Sequence, residues 1–282
     1  MKAACRALMT AALVGWAVPA HAGSVSQPGQ TLGLAVGAPV PDGLYFIDTF
    51  NFGRRTGRTG STDVGLNIPA LLWATPARPL GAHLGLLVSL PNIWVTGSSG
   101  RTQSGLTNPW FGAIFAWNVG GGLGVSFLPS IYIPSGTNLD TQSTTFNQRF
   151  GISYTADGYN LTANLYHGVV AGPLSNGGVF YPDFLNLDLT ATKRFGNWEL
   201  GPVAFASTDL PTNFVGYRSQ RQAAVGGLVG YDFGRFTLQA YVTRDVAQQN
   251  YGGRDTRGWL RVVAPLYTDT PATGPAPLRA RH

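Results

Sequence analysis

The side chains that most often perform catalysis or hold metal ions are scarce in this chain of 282 residues. After residue 22 its histidines are His83, His167 and His282. None of the three has a second histidine or a carboxylate at a spacing typical of a metal site, so we expect no metal and no cofactor. Cys5 is the only cysteine, so disulfide and thiol chemistry are excluded for the chain that follows it.

Two glycine-rich stretches do not match the motifs of enzymes or nucleotide-binding proteins. Gly97-Ser98-Ser99-Gly100 differs from the G-x-S-x-G turn that exposes a nucleophilic serine. The stretch from Gly120 to Gly124 lacks the G-x-G-x-x-G spacing and the strand–helix setting of a dinucleotide site. The formal net charge of +6 is mild for this length and gives no reason to expect nucleic acid as a partner. The sequence therefore predicts a protein that is not an enzyme.

Charged residues make up 11% of the chain, against about 25% in an ordinary soluble domain. Because charged residues are so few, the position of each one is informative. That position depends on the secondary-structure elements that carry the charged residues. Apolar and polar residues alternate with a period of two, which is typical of β-strands: residues 236–243 read FTLQAYVT, and residues 185–192 read LNLDLTAT. The pattern predicts about twelve strands of roughly 9–14 residues, near 43–52, 63–74, 82–96, 105–117, 122–133, 145–155, 159–170, 184–195, 197–207, 221–232, 235–246 and 256–266.

Short and long connections alternate between these strands. Tight turns are predicted at Asp157-Gly158, Gly196-Asn197, Phe233-Gly234 and the Gly120–Gly122 triplet. Long polar loops are predicted at residues 53–62, 134–144, 171–183, 208–220 and 247–255. Bacterial outer-membrane barrels have short periplasmic turns and long outer loops, and lipid does not tolerate open sheet edges. The predicted fold is therefore all-β: a closed antiparallel transmembrane β-barrel in the outer membrane of a Gram-negative cell.

Aromatic residues at the short turns are predicted to form an interfacial girdle: Tyr159, Phe195, Trp198, Phe233 and Phe236.

In a barrel, the face opposite the apolar one lines the lumen, since a charge facing lipid at mid-depth costs about 2–4 kcal/mol. Extending the alternation predicts seven lumen-lining charged side chains: Arg149, Asp188, Arg194, Glu199, Arg244, Arg257 and Arg261. They could contact a solute or pair with one another, and arginine outnumbers acid among them, so a mild preference for anionic solutes is conceivable. Arg54, Arg55 and Arg58 are expected in an outer loop, where they meet lipopolysaccharide phosphates or solvent.

The ends of the chain are predicted to differ from the barrel at 43–267. Residues 1–22 have a basic start, an apolar stretch and an Ala-His-Ala end, which predicts a secretory signal peptide. Residues 23–42 carry no charge before Asp42 and are rich in Gly and Pro, which suggests a periplasmic segment or a plug. Residues 268–282 are predicted as a flexible tail.

Several motifs, in order, resemble the outer-membrane transporter family named after the meta pathway of phenol degradation. They are Ala38–Tyr45, Asn67–Pro76 followed by Leu80-Gly81, Ser104–Pro109, Leu128-Pro129 before Ile133–Gly136, and Gly196–Pro202. The resemblance covers about residues 38–265. It implies a barrel that admits small hydrophobic or aromatic compounds. The predicted outer-membrane location adds membrane lipid and lipopolysaccharide as partners. Ser104–Asn108 departs from the family's Ser-Gly-x-Gly-Asp pattern by lacking the second glycine and the acid.

The sequence thus favours passive uptake of small hydrophobic or aromatic molecules through an outer-membrane channel. Two alternatives stay open. One is a structural or adhesive barrel with a blocked lumen, and the other is a barrel enzyme that acts on lipids and uses His83 or His167.

Overall fold

The structure is a computed structural model that describes residues 24–57, 60–173 and 179–269. The predicted signal peptide (1–22), Arg58 and the part of the predicted tail from residue 270 onwards lie outside the described residues. Among the helices of the described ranges, none is long and apolar enough to cross a membrane.

Long β-strands account for most of the described residues. They are β1 (Gly43–Gly57), β2 (Gly60–Ala74), β3 (His83–Ser89), β4 (Asn92–Thr96), β5 (Thr102–Leu106), β6 (Trp110–Gly120), β7 (Leu123–Tyr132), β8 (Thr144–Tyr154), β9 (Tyr159–Ala171), β10 (Phe184–Phe195), β11 (Trp198–Asp209), β12 (Arg221–Asp232), β13 (Thr237–Gln249) and β14 (Arg254–Thr268). A single 3₁₀ turn, Pro79–Gly81, connects β2 to β3.

Twelve of these fourteen strands, all except β4 and β5, close into an antiparallel barrel, in agreement with the number predicted from the sequence. The sheet closes because β1 pairs with β14 on one side and with β2 on the other. The hairpin of β4 and β5 extends the barrel wall beyond β3, because the first half of β2 pairs with β4 and the second half of β2 pairs with β3. A closed sheet pairs its backbone polar groups internally, which is what lipid requires of a strand that crosses it.

Two of the five predicted long loops are wrong. β1 runs to Gly57 and β2 starts at Gly60, so most of 53–62 is strand, and 247–255 shrinks to the four residues between β13 and β14. The strands continue there because backbone pairing persists past the apolar segment, as in the pair Thr56–Arg254. Long loops follow β7, β9 and β11, as predicted.

The outer face of the barrel is apolar, and its short-turn end is aromatic. Along β8, for example, Phe146, Phe150 and Ile152 are exposed while the alternate residues are buried. At the short turns, rings touch in series: Trp198 with Tyr231, Tyr231 with Phe233, and Phe233 with Phe236, with centroids 4.7–4.8 Å apart. Such rings favour the membrane–water boundary.

The inner face is divided into a polar half and an apolar half. On β8, β9 and β10 the inward side chains are mostly polar and buried: Thr145, Asn147, Arg149, Asn160, Thr162, Asn164, Asn186, Asp188 and Thr190. On β2, β3 and β6 they are mostly apolar: Val64, Leu66, Ile68, Ala70, Leu72, Leu87, Ile114 and Ala116. We call the second set the apolar wall.

Residues 24–38, here called the inner segment, lie inside the barrel against the polar half, and Leu32 also packs against an apolar cluster on β11–β14 that includes Phe205 and Leu228. Ser26 and Leu32 have no solvent exposure. Gly37 crosses close to β8, and a Cβ placed on it would lie 2.5 Å from Ser153 N, so glycine is required there. Gly37 N also donates to Ser153 Oγ at 2.9 Å. The structure thus places inside the barrel the stretch for which the sequence suggested a periplasmic segment or a plug.

Candidate functional site

Two cavities lie between the inner segment and the apolar wall. The larger, of about 510 Å³, is here called the outer cavity, and it reaches residues at the long-loop end such as Ser98 and Gly252. The smaller, of about 100 Å³, is here called the inner cavity, and it reaches Ala74 and His83 at the short-turn end. Leu34 of the inner segment and Ile47 of β1 line both. The two cavities follow one another along the barrel axis and meet at Leu34.

The apolar wall supplies one side of both cavities. Val64, Leu66 and Ile68 of β2 line the outer cavity, together with Ile93 and Val95 of β4. Leu72 and Ala74 of the same β2 strand line the inner cavity. Because successive inward residues of one strand line both spaces, an apolar solute would meet a continuous surface over much of the barrel's length.

The outer cavity is also lined by arginines, of which Arg149 is the least neutralised. Its guanidinium stacks over the rings of Trp110 and Tyr166, with 4.3 and 4.6 Å from Cζ to the ring centroids. It donates to Tyr132 Oη at 2.8 Å and to Asn147 Oδ1 at 2.9 Å. Among the residues that the structure describes, no carboxylate lies within 4.0 Å of it.

Arg257 and Arg55 also line the outer cavity but share a carboxylate. Arg257 Nη2 donates to Asp255 Oδ2 at 2.6 Å, and Arg55 Nη2 lies 3.7 Å from the same oxygen. Arg55 also lies over the ring of Tyr251, 4.9 Å from its centroid. Burial raises the pKa of the Tyr251 phenol to about 12, so this hydroxyl stays protonated at neutral pH. Positive charge at this end of the cavity is therefore partly compensated.

Three of the predicted lumen-lining residues, Asp188, Glu199 and Arg261, are buried inside the barrel. Asp188 accepts hydrogen bonds from Gly29 N (2.8 Å) and from Thr31 N (3.0 Å). Arg261 donates to the carbonyl oxygens of two further inner-segment residues, Gln30 and Leu32. Asp188 and Arg261 therefore hold the inner segment.

Glu199 and Arg194 have partners on the barrel itself. Glu199 accepts from Thr192 Oγ1 (2.5 Å) and from Gln239 Nε2 (3.1 Å), and Gln239 also donates to Gly33 O. Arg194 lies close to the short turn after β10, where Nη1 is 3.2 Å from Asp232 Oδ2.

The prediction that Arg244 lines the lumen is wrong. Arg244 shares the face of Val242 and Val246, which are exposed, while Tyr241, Thr243 and Asp245 are buried. Counting by twos from Val242 would have given this result. The expectation of an outer-loop position is also wrong for Arg54 and Arg55, which both lie on β1. Arg55 lines the outer cavity, whereas Arg54 is exposed and paired with Asp63 at 2.7 Å.

Sequence reasoning missed the aromatic partners of Arg149 and the inward direction of the apolar residues on β2. The alternation in β2 was visible, but its polar set includes Asp63 and Asn67, which face outwards. The polarity pattern of β2 alone would place these polar side chains in the lumen, which is the opposite of the observed orientation. The alternation at residues 146–150 predicted that Arg149 faces inwards, and the structure places it there.

Neither histidine of the described strands lies in a catalytic arrangement. His83 lines the inner cavity, whereas His167 lies on the other face of its strand, with Nδ1 3.1 Å from Gln148 Oε1. In the part of the chain that the structure describes, no group of three or more His, Cys, Asp or Glu residues could hold a metal ion.

Comparison with known proteins identifies the kind of barrel. The family model described as "Putative MetA-pathway of phenol degradation" matches residues 48–262. An outer-membrane channel from Pseudomonas putida F1 is similar in structure, with a TM-score of 0.66 and 13% identity over 85% of this chain and 99% of that one. The autotransporter translocator domain of NalP from Neisseria meningitidis (TM-score 0.46, 11% identity, 79% and 88% covered) and outer-membrane phospholipase A from Escherichia coli (0.42, 12%, 85% and 98%) are more distant. Among curated protein sequences, none matches this chain. The chain is an outer-membrane β-barrel.

Proposed function

Because the chain belongs to the phenol-degradation family whose model matches residues 48–262, we propose that it is a channel for passive uptake of small hydrophobic or aromatic compounds. The observation that carries the proposal is the pair of cavities along the apolar wall. A channel for hydrophilic solutes would be expected to have polar residues around its lumen. Here the inner segment covers the polar half and leaves the apolar half facing the open space.

The proposed route runs from the outer cavity, past Leu34, to the inner cavity and the short-turn end. A solute of the size of one aromatic ring fits the outer cavity of about 510 Å³ but not the inner cavity of about 100 Å³ without movement. We infer that the inner segment acts as a plug that shifts or loosens when a solute passes. Leu34 stands where the two cavities meet, so its size should control passage.

Uptake of N-phenyl-1-naphthylamine by intact Gram-negative cells that produce the protein tests this proposal, since the dye fluoresces when it reaches membrane lipid. We expect wild-type protein to accelerate entry, and Leu34→Trp to slow it to near the rate of cells without the protein. Leu161→Trp is the matched control, because Leu161 is 45% exposed on the outer face. Equal rates with and without the protein would exclude uptake of this dye class, and equal slowing by both variants would exclude the proposed route.

A blocked structural barrel is the second candidate, and the hydrogen bonds of the inner segment favour it. Asp188 and Arg261 alone bind it at four residues, Gly29, Gln30, Thr31 and Leu32. Dye entry with the wild-type protein distinguishes a plug that moves from one that stays in place, and deletion of residues 24–40 tests, by conductance in planar bilayers, whether the segment closes a passage at all. If the segment closes a passage, the deletion should raise conductance; no change would show that it does not limit permeation.

A further inference from the structure

Arg149 combines three features that are rarely found together: it is buried, it is cationic, and it faces a cavity without a counter-ion. Its exposed fraction is 5%. The side chains that contact it, Tyr132, Asn147, Trp110 and Tyr166, are all neutral. The carboxylate of Asp188 lies beyond Tyr166, which donates to it at 3.0 Å, and is occupied by the inner segment. A buried charge with neutral partners alone is costly unless a ligand neutralises it.

The guanidinium is also held in a fixed orientation. Trp110 and Tyr166 restrict its plane, and Asn147 fixes Nε, so both Nη groups are available for a planar acceptor. Tyr132 takes one bond from Nη2. The side-chain oxygen of Gln30, turned towards the guanidinium, accepts from Nη2 at 3.0 Å and from Nη1 at 3.2 Å. A neutral carboxamide of the inner segment therefore occupies the position that a carboxylate would take in a bidentate pair.

The apolar wall lies in the same cavity as this cation. Arg149, Trp110 and Tyr132 line the outer cavity together with Leu66 and Ile68. A molecule bound there would meet one positive charge and a large apolar surface. Arginine is suited to planar anions such as carboxylates, and an ionised acceptor makes a hydrogen bond about twice as strong as a neutral one.

We propose that the outer cavity binds amphiphiles with a single carboxylate head and an apolar body, with the carboxylate replacing Gln30 at Arg149 and the body on the apolar wall. The proposal rests on the uptake function above and narrows its solute class to anionic molecules. Arg257 does not form such a site, because Asp255 already neutralises it.

Quenching of tryptophan fluorescence tests the site in the purified mature protein in lipid nanodiscs. The probes are 2-bromooctanoate, 2-bromooctan-1-ol and bromoacetate at pH 7.5, all of which place bromine beside the head group and so close to Trp110. We expect the carboxylate amphiphile to bind at least about tenfold more tightly than the alcohol, and bromoacetate, which lacks the apolar body, to bind more weakly than either. Trp110→Phe should remove the saturable part of the signal.

Variants separate the charge from its surroundings. Arg149→Gln should abolish the preference for the carboxylate while leaving alcohol binding within about threefold, and Arg149→Lys should restore part of it. Arg244→Gln is the control, because Arg244 lies on the outer face of β13 away from the cavity, and it should keep the preference. Heat-modifiable gel migration checks that each barrel is folded. If Arg149→Gln does not fold, the lysine variant and the probe series on the wild-type protein still test whether Arg149 selects the carboxylate.

Equal affinity of the wild-type protein for carboxylate and alcohol would overturn the proposal, as would a preference that survives in Arg149→Gln. The result is independent of uptake. Binding without preference would refute only the anionic site, whereas a clear preference in a protein that does not accelerate dye entry would refute only the uptake function.

Discussion

Replacement of Asp188 by asparagine should release the inner segment from the barrel wall. Asp188 accepts three hydrogen bonds from that segment: from Gly29 N at 2.8 Å, from Thr31 N at 3.0 Å and from Thr31 Oγ1 at 2.7 Å. Asparagine keeps the shape but replaces one acceptor oxygen by an NH₂ donor. Whichever oxygen is lost, at least one donor of the segment then faces another donor.

The size of the effect follows from these contacts. A hydrogen bond to a charged group contributes about 1.5–3 kcal/mol, and a buried donor left without an acceptor costs about 1–3 kcal/mol. Asparagine also avoids the desolvation of a carboxylate, which opposes this loss. We expect a net loss of about 3 kcal/mol in the free energy that seats the segment, and hence an increase of about a hundredfold in its released fraction.

Cysteine labelling measures that fraction. Ser26 is fully buried, and the only cysteine of the sequence, Cys5, lies in the predicted signal peptide, so Ser26→Cys gives a unique target for a maleimide linked to polyethylene glycol. Asp188→Asn should speed its labelling about a hundredfold. Asp245→Asn is the control, because this buried carboxylate accepts from Gln222 and Asp255 and not from the inner segment. A change of less than about threefold for Asp188→Asn, or an equal increase in the control, would refute the anchoring role.

Three further predictions concern other parts of the barrel. Gly37→Val should raise conductance in planar bilayers, because its Cβ would collide with the backbone of Ser153; unchanged conductance would contradict this close packing. Leu165→Arg, on the outer face, should lower the free energy of unfolding by about 2–4 kcal/mol in urea titrations in vesicles, and an unaffected midpoint would argue against lipid contact there. Asn108→Ala should speed proteolysis of the loop after β7, because Asn108 is fully buried and bonds to Ile133 O and Thr141 N; a resistant loop would show that other contacts hold it.

Sequence predicted the barrel well because the signals that define it are local. Period-two alternation and glycine turns such as Asp157-Gly158, where both residues have positive φ, are set by neighbours in the chain. Strand ends were less predictable, since β1 and β14 continue their pairing beyond the apolar segment through polar residues. The lengths of the outer loops were therefore overestimated at residues 53–62 and 247–255.

The site was less predictable than the barrel because it depends on contacts between distant parts of the chain. Arg149 could be placed on the inner face by counting, but its stacking on Trp110 and Tyr166 depends on where β6 and β9 stand in the closed sheet. Likewise, the alternation in β2 allows either of its two faces to line the lumen. Closure of the barrel determines which face turns inwards, and polarity alone suggests the wrong face.

The division of the lumen follows from the hydrogen-bonding needs of the inner segment. A chain without regular secondary structure inside a barrel carries one donor and one acceptor at most residues, and each must find a partner. The polar half supplies them, for example Thr190 Oγ1 for Gly33 N and Asn186 Nδ2 for Ser26 O. The apolar wall has no side chain that could do so. The segment must therefore lie on the polar half, and this placement leaves the apolar wall as the surface along which a solute can move.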